Sequence, residues 1–301
     1  MSAVAAVRRL ASETRTGFAW LAEGLSPDTP VSFVPNFGNL GDAAINLACW
    51  RFLESRFERV ELCALDRQPA NRDVFLGGGG NLVEPLYDQT AGFLLRLPLE
   101  HRPRLFPATL FGHRAVFERW GPRLRVLCRD LVSMSYARGQ VAHGQLRLSH
   151  DAAFALDGWL QQNLSLAPRA VRKESARFFR RDMEALALPP AGSEDPTAAI
   201  DGPWLDMAET ESEVLLLAHR IARCRQVATD RLHAAILAAL LDCEVTLHAN
   251  AYFKNEAVHD HSLARAGVAF QPGAVAGNPA LDPLRYLLDQ PAEARRHQAS
   301  A

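Results

Sequence analysis

Lysine is almost absent from this chain: among 33 basic residues only Lys173 and Lys254 are lysines. Arginine is the default cation, so each lysine marks a place where a compact ammonium replaces a planar fork. An excess of either charge is missing too. A formal net charge of -1 over 301 residues gives no global basic field for a nucleic acid or an anionic membrane, so any anion must be held locally. No run approaches the ~18 consecutive apolar residues of a membrane span, and the opening "MSAVAAVRRLASETRTG" lacks the apolar core of a signal peptide. The five cysteines, Cys49, Cys63, Cys128, Cys224 and Cys243, show no CxxC spacing and sit mostly among apolar neighbours. They read as reduced, buried thiols of a cytoplasmic protein rather than a disulfide framework or a zinc site. Neither a GxGxxG nor a glycine loop followed by Lys-Ser/Thr occurs, so nicotinamide, flavin and P-loop readings are unsupported.

What is present is alternation. "VSFVP" (31–35), "RVELCAL" (59–65), "DVFLGG" (73–78), "RLFPATLFG" (104–112), "LRVLC" (124–128) and "QLRLS" (145–149) read as strands separated by helical patterns such as 43–57. Strands separated by helices imply parallel pairing in an α/β sheet covered on both faces. A polar, proline-ended stretch at 157–168 predicts a domain boundary. After it the pattern predicts a strand at 169–174, a helix at 175–188, a loop at 189–203, and then helix, strand, helix and strand through "EVTLHA" (244–249). The expectation is an α/β fold of two Rossmann-like domains, 1–160 and 161–301, facing a cleft as in glycosyltransferase-B enzymes, with ligands at the carboxyl ends of the strands.

Several stretches carry candidate chemistry. "PNFGNLGDAAIN" (35–46) is a strand-to-helix turn in which Gly38 and Gly41 allow close backbone approach, Asn36 and Asn39 offer hydrogen bonds, and Asp42 is placed as an N-cap. In "FLGGGGNL" (75–82) the glycines through Gly78, Gly79 and Gly80, followed by Asn81, suggest that another group comes near. Arg129, at the end of a strand and followed by Asp130 and Ser133, sits where ligands bind in such sheets. Arg172 is expected at the carboxyl end of the strand 169–174. His150 and Asp151 are assigned to a hinge or packing role. In "TDRLHAAILAALL" (229–241) Asp230 is read as the cap of a helix whose first turn holds Arg231 and His233. Two basic groups at the positive end of a helix dipole are unfavourable unless an anion compensates them, so this is an anion site with a proton donor. "NAYFKN" (250–255) adds Asn250 and Lys254. His259 and His261 form an HxH with no third ligand nearby in sequence, and no metal is expected.

Together these stretches resemble the polysaccharide pyruvyl transferase family, over roughly residues 31–260 and most specifically in "TDRLHAAILAALL" followed by "NAYFKN". The chain departs from the common pattern at Ala234, where the family has Gly, at 249–254, where it has Asp-Asn-Ser-Tyr-Gly-Lys, and at Pro107-Ala108-Thr109, where it has Pro-Gln-Ser/Thr. The resemblance implies two Rossmann-like domains and transfer of the enolpyruvyl group of phosphoenolpyruvate to sugar hydroxyls as a pyruvate ketal. It implies His233 and Arg231 as catalytic residues, with Arg172, Arg231, Leu232, His233, Lys254 and Asn250 on phosphoenolpyruvate. Asn36, Gly38, Asn39, Gly41, Asp42, Gly78, Gly79, Gly80, Asn81 and Arg129 are left to hold a sugar or lipid-linked oligosaccharide acceptor. No cofactor beyond the donor substrate is called for, and peripheral association with membrane-bound glycan assembly machinery fits a chain without a span. A nucleotide-sugar glycosyltransferase of the same architecture, or an inactive family member that acts as a binding protein, meets many of the same requirements.

Overall fold

The computed structural model describes residues 2–186, 188–197 and 200–273. The first part runs α1 (Ala3–Leu21), β1 (Val31–Val34), α2 (Leu40–Arg56), β2 (Val60–Leu62), β3 (Asp73–Leu76), β4 (Gly79–Val83), α3 (Gln89–Arg96), β5 (Arg102–Phe111), α4 (Arg114–Trp120), β6 (Arg125–Cys128), α5 (Leu131–Ala137), β7 (Leu146–Leu148) and α6 (Asp157–Asn163). It continues with β8 (Glu174–Phe178), α7 (Met207–Ala222), β9 (Cys224–Thr229), α8 (Leu232–Leu240), β10 (Glu244–His248), α9 (Lys254–His261) and β11 (Ala269–Gln271).

Two parallel sheets result. The larger has the order β2-β1-β3-β5-β6-β7, with β4 also on β5, and the smaller has the order β11-β10-β9-β8. Every pair between named strands is parallel, from Val31 opposite Val60 to Thr246 opposite Ala269. Helices cover both faces of such sheets, so central strands become continuous apolar runs instead of alternating ones. β1 and β3 are accordingly buried at every residue. One apolar core joins the sheets: Phe33, Phe75, Phe106 and Leu127 belong to the same cluster as Phe178, Val227, Val245 and Leu247. α8 lies in this core with eight of its nine residues buried, which explains why its sequence is apolar on all sides. His233 is the exception.

Three expectations are corrected. Residues 169–174 are not a strand. Arg169–Val171 form a 3-10 turn, the strand is Glu174–Phe178, and the predicted helix 175–188 is replaced by that strand and an irregular loop. β8 is an edge strand whose exposed Ser175 and Arg177 alternate with Ala176 and Phe178. The Phe178, Phe179, Met183 and Leu186 spacing imitates a helical face, but the loop is held by ion pairs that no local propensity encodes. The stretch at 157–168 begins as α6, with Trp159 and Leu160 buried in the core. The glycine run does follow the end of an apolar strand, β3, and after a break at Gly77 and Gly78 the chain resumes on the same partner as β4. Of the region 161–301, residues from 274 onward lie outside the described residues.

The glycine run is set by space and conformation. A Cβ on Gly78 would lie 2.2 Å from the carbonyl oxygen of Pro107, and Gly79 has φ +96°, a region that side-chain-bearing residues avoid. Gly78→Ala should therefore lower the unfolding free energy by about 1–3 kcal/mol. Gly139→Ala, with nothing within 4 Å of the added carbon, should stay within about 0.5 kcal/mol of wild type. Denaturant midpoints of the two variants test this, and equal losses would contradict it.

Candidate active site

The carboxyl ends of both sheets open onto one cavity of 390 Å3. β1 leads into the turn carrying Gly38, Asn39, Gly41 and Asp42, β4 contributes Gly80 and Asn81, and Arg129 follows β6. β8 is followed by Arg180, Asp182 and Glu184, and β9 by Arg231, Leu232 and His233, while Lys254 comes from the start of α9. The N-termini of α2 and α8 meet here: a Cβ on Gly41 would lie 2.3 Å from His233 Nδ1, so only glycine permits the approach. Asn39, not Asp42, caps α2, accepting from the Gly41 N–H at 2.8 Å. Asp42 lies in the first turn instead. Asp230 does not cap α8 either; its carboxylate accepts from the Arg180 N–H at 2.9 Å, and among the described residues no side chain caps that helix. A helix N-terminus without a cap retains N–H groups and a partial positive charge for a ligand.

Burying a cation is costly unless it is paired, and each cation here has carboxylate partners. Arg231 is held through Nη1 by Asp182 Oδ2 at 2.9 Å and through Nε by Asp195 Oδ1 at 3.1 Å. Glu184 gathers Arg180, Lys254 Nζ at 2.5 Å, Asn250 Nδ2 at 3.1 Å and the Tyr87 hydroxyl. Burial opposes its ionisation, but Arg180 and Lys254 outweigh burial and hold its carboxyl well below the usual range. Burial brings Lys254 down to about 8 despite the Glu184 charge. Arg129 is wholly buried, with Nη1 on Asp151 Oδ2 at 2.6 Å and Nε on Thr109 Oγ1 at 2.9 Å.

Several buried polar atoms lack a hydrogen-bond partner, and two of them lie together at the cavity. Among the described residues, Arg129 Nη2 and the Tyr252 hydroxyl have no hydrogen-bond partner. Both flank Gly80, 3.6 and 3.5 Å from where its Cβ would lie. Unspent buried donors cost about 1–3 kcal/mol each, so their presence beside a cavity marks a place prepared for an acceptor-rich group.

His233 stands beside them. Its Nε2 is 3.4 Å from Asp151 Oδ2, a distance at which the carboxylate orients and electrostatically supports the ring but makes no full hydrogen bond. Burial pushes the Asp151 carboxyl up, but His233 and Arg129 together hold it below the ordinary carboxylate range. Asp42 moves the other way: burial lifts it to about 6, with His233, Lys254 and Arg129 only partly opposing.

The cavity brings together Arg231, Leu232, His233 and Lys254 from the expected donor group, and Gly38, Asn39, Gly41, Asp42, Gly80, Asn81 and Arg129 from the expected acceptor group. Asn250 stands behind the wall as a support for Glu184. Asn36, Gly78 and Gly79 form part of the scaffold, in which the Asn36 amide is bonded to the Gly78 carbonyl and the Asn36 N–H to Asn46 Oδ1 at 2.9 Å. Arg172 is not in the cavity. It precedes β8, at the amino edge of the smaller sheet, donating to the carbonyls of Ala167 at 2.8 Å and Leu241 at 2.7 Å. The shift of the strand by several residues puts Arg180 at the carboxyl end instead. Asp151, Asp182, Glu184 and Asp195 were also missed, and "RRD" after an apolar strand was the one local signal for part of this set. His150, next to Asp151, faces away, bonding Glu13 and Ser262 at 2.8 Å each. Among the described residues no group of three or more His, Cys, Asp or Glu side chains is arranged to hold a metal ion, and no helix is long and apolar enough to cross a membrane.

Residues 39–250 match the family model for polysaccharide pyruvyl transferases. The chain is similar to the crystal structure of an uncharacterized protein from Klebsiella pneumoniae subsp. pneumoniae NTUH-K2044, with 27% identity and a TM-score of 0.74 over 86% of this chain and 99% of the other. No curated protein matches. The matched segment covers more than half of the sequence, and the chain belongs to the polysaccharide pyruvyl transferase family, which makes it a transferase.

Asp42 gives the cavity a pH dependence whose sign is fixed. Below about 6 its carboxyl is neutral; above, an entering anion meets one more negative charge. Thermal stabilisation by sulfate, whose charge is constant over this range, should fall as pH rises through about 6 in wild type and fall less steeply in Asp42→Asn. An identical slope in the variant would assign the dependence to another group.

Proposed function

We propose that this member of the family transfers the pyruvyl group of phosphoenolpyruvate to a sugar of a polysaccharide or its lipid-linked precursor, forming a ketal in cell-surface glycan biosynthesis. The observation that carries the reading is that Asp151 joins His233 to Arg129, whose unpartnered Nη2 lies with the unpartnered Tyr252 hydroxyl beside Gly80. Phosphoenolpyruvate carries a carboxylate and a phosphate, which guanidinium forks and helix N-termini accommodate. Arg129, Arg180, Arg231 and Lys254 are the cations for this donor. Arg129 thus moves from the acceptor group to the donor group, and Arg180 takes the place expected of Arg172.

In the proposed reaction His233 is the general acid that protonates C3 of the enol, which makes C2 electrophilic. One sugar hydroxyl adds to C2 and loses its proton, phosphate leaves with the electrons of the C2–O bond, and a second hydroxyl closes the ring with loss of its proton. The products are the ketal and inorganic phosphate. Asp151 orients the imidazole, and the α8 N-terminus stabilises charge developing on the departing phosphate. The turn with Asn39, Asp42 and Asn81 faces the acceptor. The donor side falls mainly to residues 161–301, joined by Arg129 and Asp151 from the first half, and the acceptor side to the remainder of 1–160, as two Rossmann-like domains in a glycosyltransferase-B-like arrangement. Five free, buried cysteines support a reducing, cytoplasmic setting, where the protein would meet a lipid-linked acceptor at the membrane surface.

Differential thermal unfolding tests the donor. Phosphoenolpyruvate at ~100 times its dissociation constant should add about 2.7 kcal/mol of stability, with phosphate, pyruvate and a nucleoside diphosphate as controls. Lys254→Gln leaves Glu184 paired with Arg180 and should weaken that binding about tenfold or more. A response to the nucleoside diphosphate and none to phosphoenolpyruvate would replace the reading with a nucleotide-sugar transferase. His233→Ala should keep the stabilisation but lose roughly 10²- to 10⁴-fold in phosphate released during turnover, and Asp151→Asn should lose less while shifting the pH profile. Near-full turnover in His233→Ala would remove the general-acid assignment.

A further inference from the structure

Next to the reaction cavity lies a second, more open groove of 600 Å3, and the two share Phe37 and Gln89 in their walls. The groove is built. The chain at 200–205 is fastened to the turn after β1 by paired backbone bonds between Gly38 and Gly202, at 3.1 and 3.0 Å, and by the Trp204 indole N–H on the Gly38 carbonyl at 2.8 Å. Trp204 is buried as the anchor, while Pro203 and Leu205 on either side of it are exposed and line the groove together with Phe37. Phe37 itself is 41% exposed and Leu205 38%. An aromatic ring left open to solvent at the mouth of a reaction cavity is unfavourable in isolation and invites an apolar surface to cover it.

The lining also carries polar side chains. Among the described residues the side chains of Asp66, Asp88 and Gln89 make no hydrogen bond or ion pair, and the one cation of the groove, Arg96, donates to the Leu65 carbonyl at 3.0 Å. Two carboxylates against one engaged arginine disfavour an anionic occupant, such as the phosphates of a lipid carrier. An exposed aromatic ring and hydrogen-bond acceptors lining one groove suit a neutral sugar, which presents an apolar ring face and hydroxyl edges.

Resting on the transfer reading above, we propose that this outer groove is a second sugar subsite. It holds a neutral saccharide unit of the acceptor beyond the one that receives the pyruvyl group, with Phe37 stacked on its ring and Asp88 and Gln89 taking its hydroxyls. The subsite makes the enzyme select an oligosaccharide over a single sugar.

The test is binding to an array of neutral and acidic oligosaccharides, with wild type, Phe37→Ala, Leu205→Ala and Asp88→Asn compared. The expected result is wild-type binding to neutral glycans of two or more units, weakened about tenfold by Phe37→Ala and less by the other two. Leu205→Ala and Asp88→Asn should keep full stabilisation by phosphoenolpyruvate, which also shows that they fold. Wild-type binding undiminished in all three variants, a preference for acidic glycans, or no neutral glycan bound would each overturn the proposal. Loss of glycan binding in the variants of a protein that phosphoenolpyruvate fails to stabilise would uphold the groove and sink the donor instead.

Discussion

The structure around the cavity depends on one constraint: every buried cation must meet a carboxylate. Two carboxylates do this while joining the halves of the chain. Asp151, which follows β7, holds Arg129 of the larger sheet and faces His233 at the head of α8. Glu184, which follows β8, holds Arg180 and Lys254 of the smaller sheet and accepts from Tyr87 of the first half. Removing one member of such a buried pair strands the other, at a cost of about 3–5 kcal/mol. The same contacts that make a polar cavity tolerable therefore also fix the position of one sheet edge against the other.

That arrangement decides what remains for a ligand. The charges of Arg231, Arg180 and Lys254 are already shared with Asp182, Asp195 and Glu184, so an entering anion does not simply collect free cations; it competes with internal carboxylates. The unshared part is smaller and includes Arg129 Nη2, the Tyr252 hydroxyl and the N–H groups at the uncapped start of α8. Directional donors of this kind favour an anion of one shape over anions in general, since each is fixed by burial before the ligand arrives. Asp42, with its proton retained to about 6, adds a group that can lose its repulsion when an anion enters.

Much of this was legible in the sequence, for physical reasons. Parallel strands buried on both faces write themselves as apolar runs, which is why 31–35, 73–78 and 124–128 were readable. The anomaly of two basic residues starting a buried helix located Arg231 and His233, because a helix dipole makes that placement costly without a ligand. The unreadable part was tertiary. Glu184 meets Tyr87 across 97 residues, and no periodicity records such a pair. β8 illustrates the same limit: its edge position leaves only a weak alternation, and moving the strand by a few residues exchanged Arg172 for Arg180. The capping roles of Asp42 and Asp230 failed because an acid near a helix start can equally serve the first turn or a neighbouring strand's backbone.

The family departures at 249–254 become physical in this frame. Phe253 stands where the family commonly has Gly, and it is wholly buried in a small cluster with Val83 of β4, Val132 of α5, Ala251 and Tyr252. A large side chain there ties the start of α9 to the larger sheet by apolar contact, next to the ionic tie from Glu184 to Lys254. Tyr252 is held by the same cluster, with its hydroxyl toward Gly80. The glycine's backbone freedom, which would let this segment move, is thus replaced by packing that places an ammonium and a phenol over the cavity. Ala234 acts in the same direction, since alanine in place of glycine favours the first turn of α8 by about 1 kcal/mol. Phe253 and Ala234 stiffen the elements that carry Lys254 and His233 and keep those two side chains, whereas Ala249 and Ala251, standing where the family has Asp and Ser, take two polar groups from the same segment.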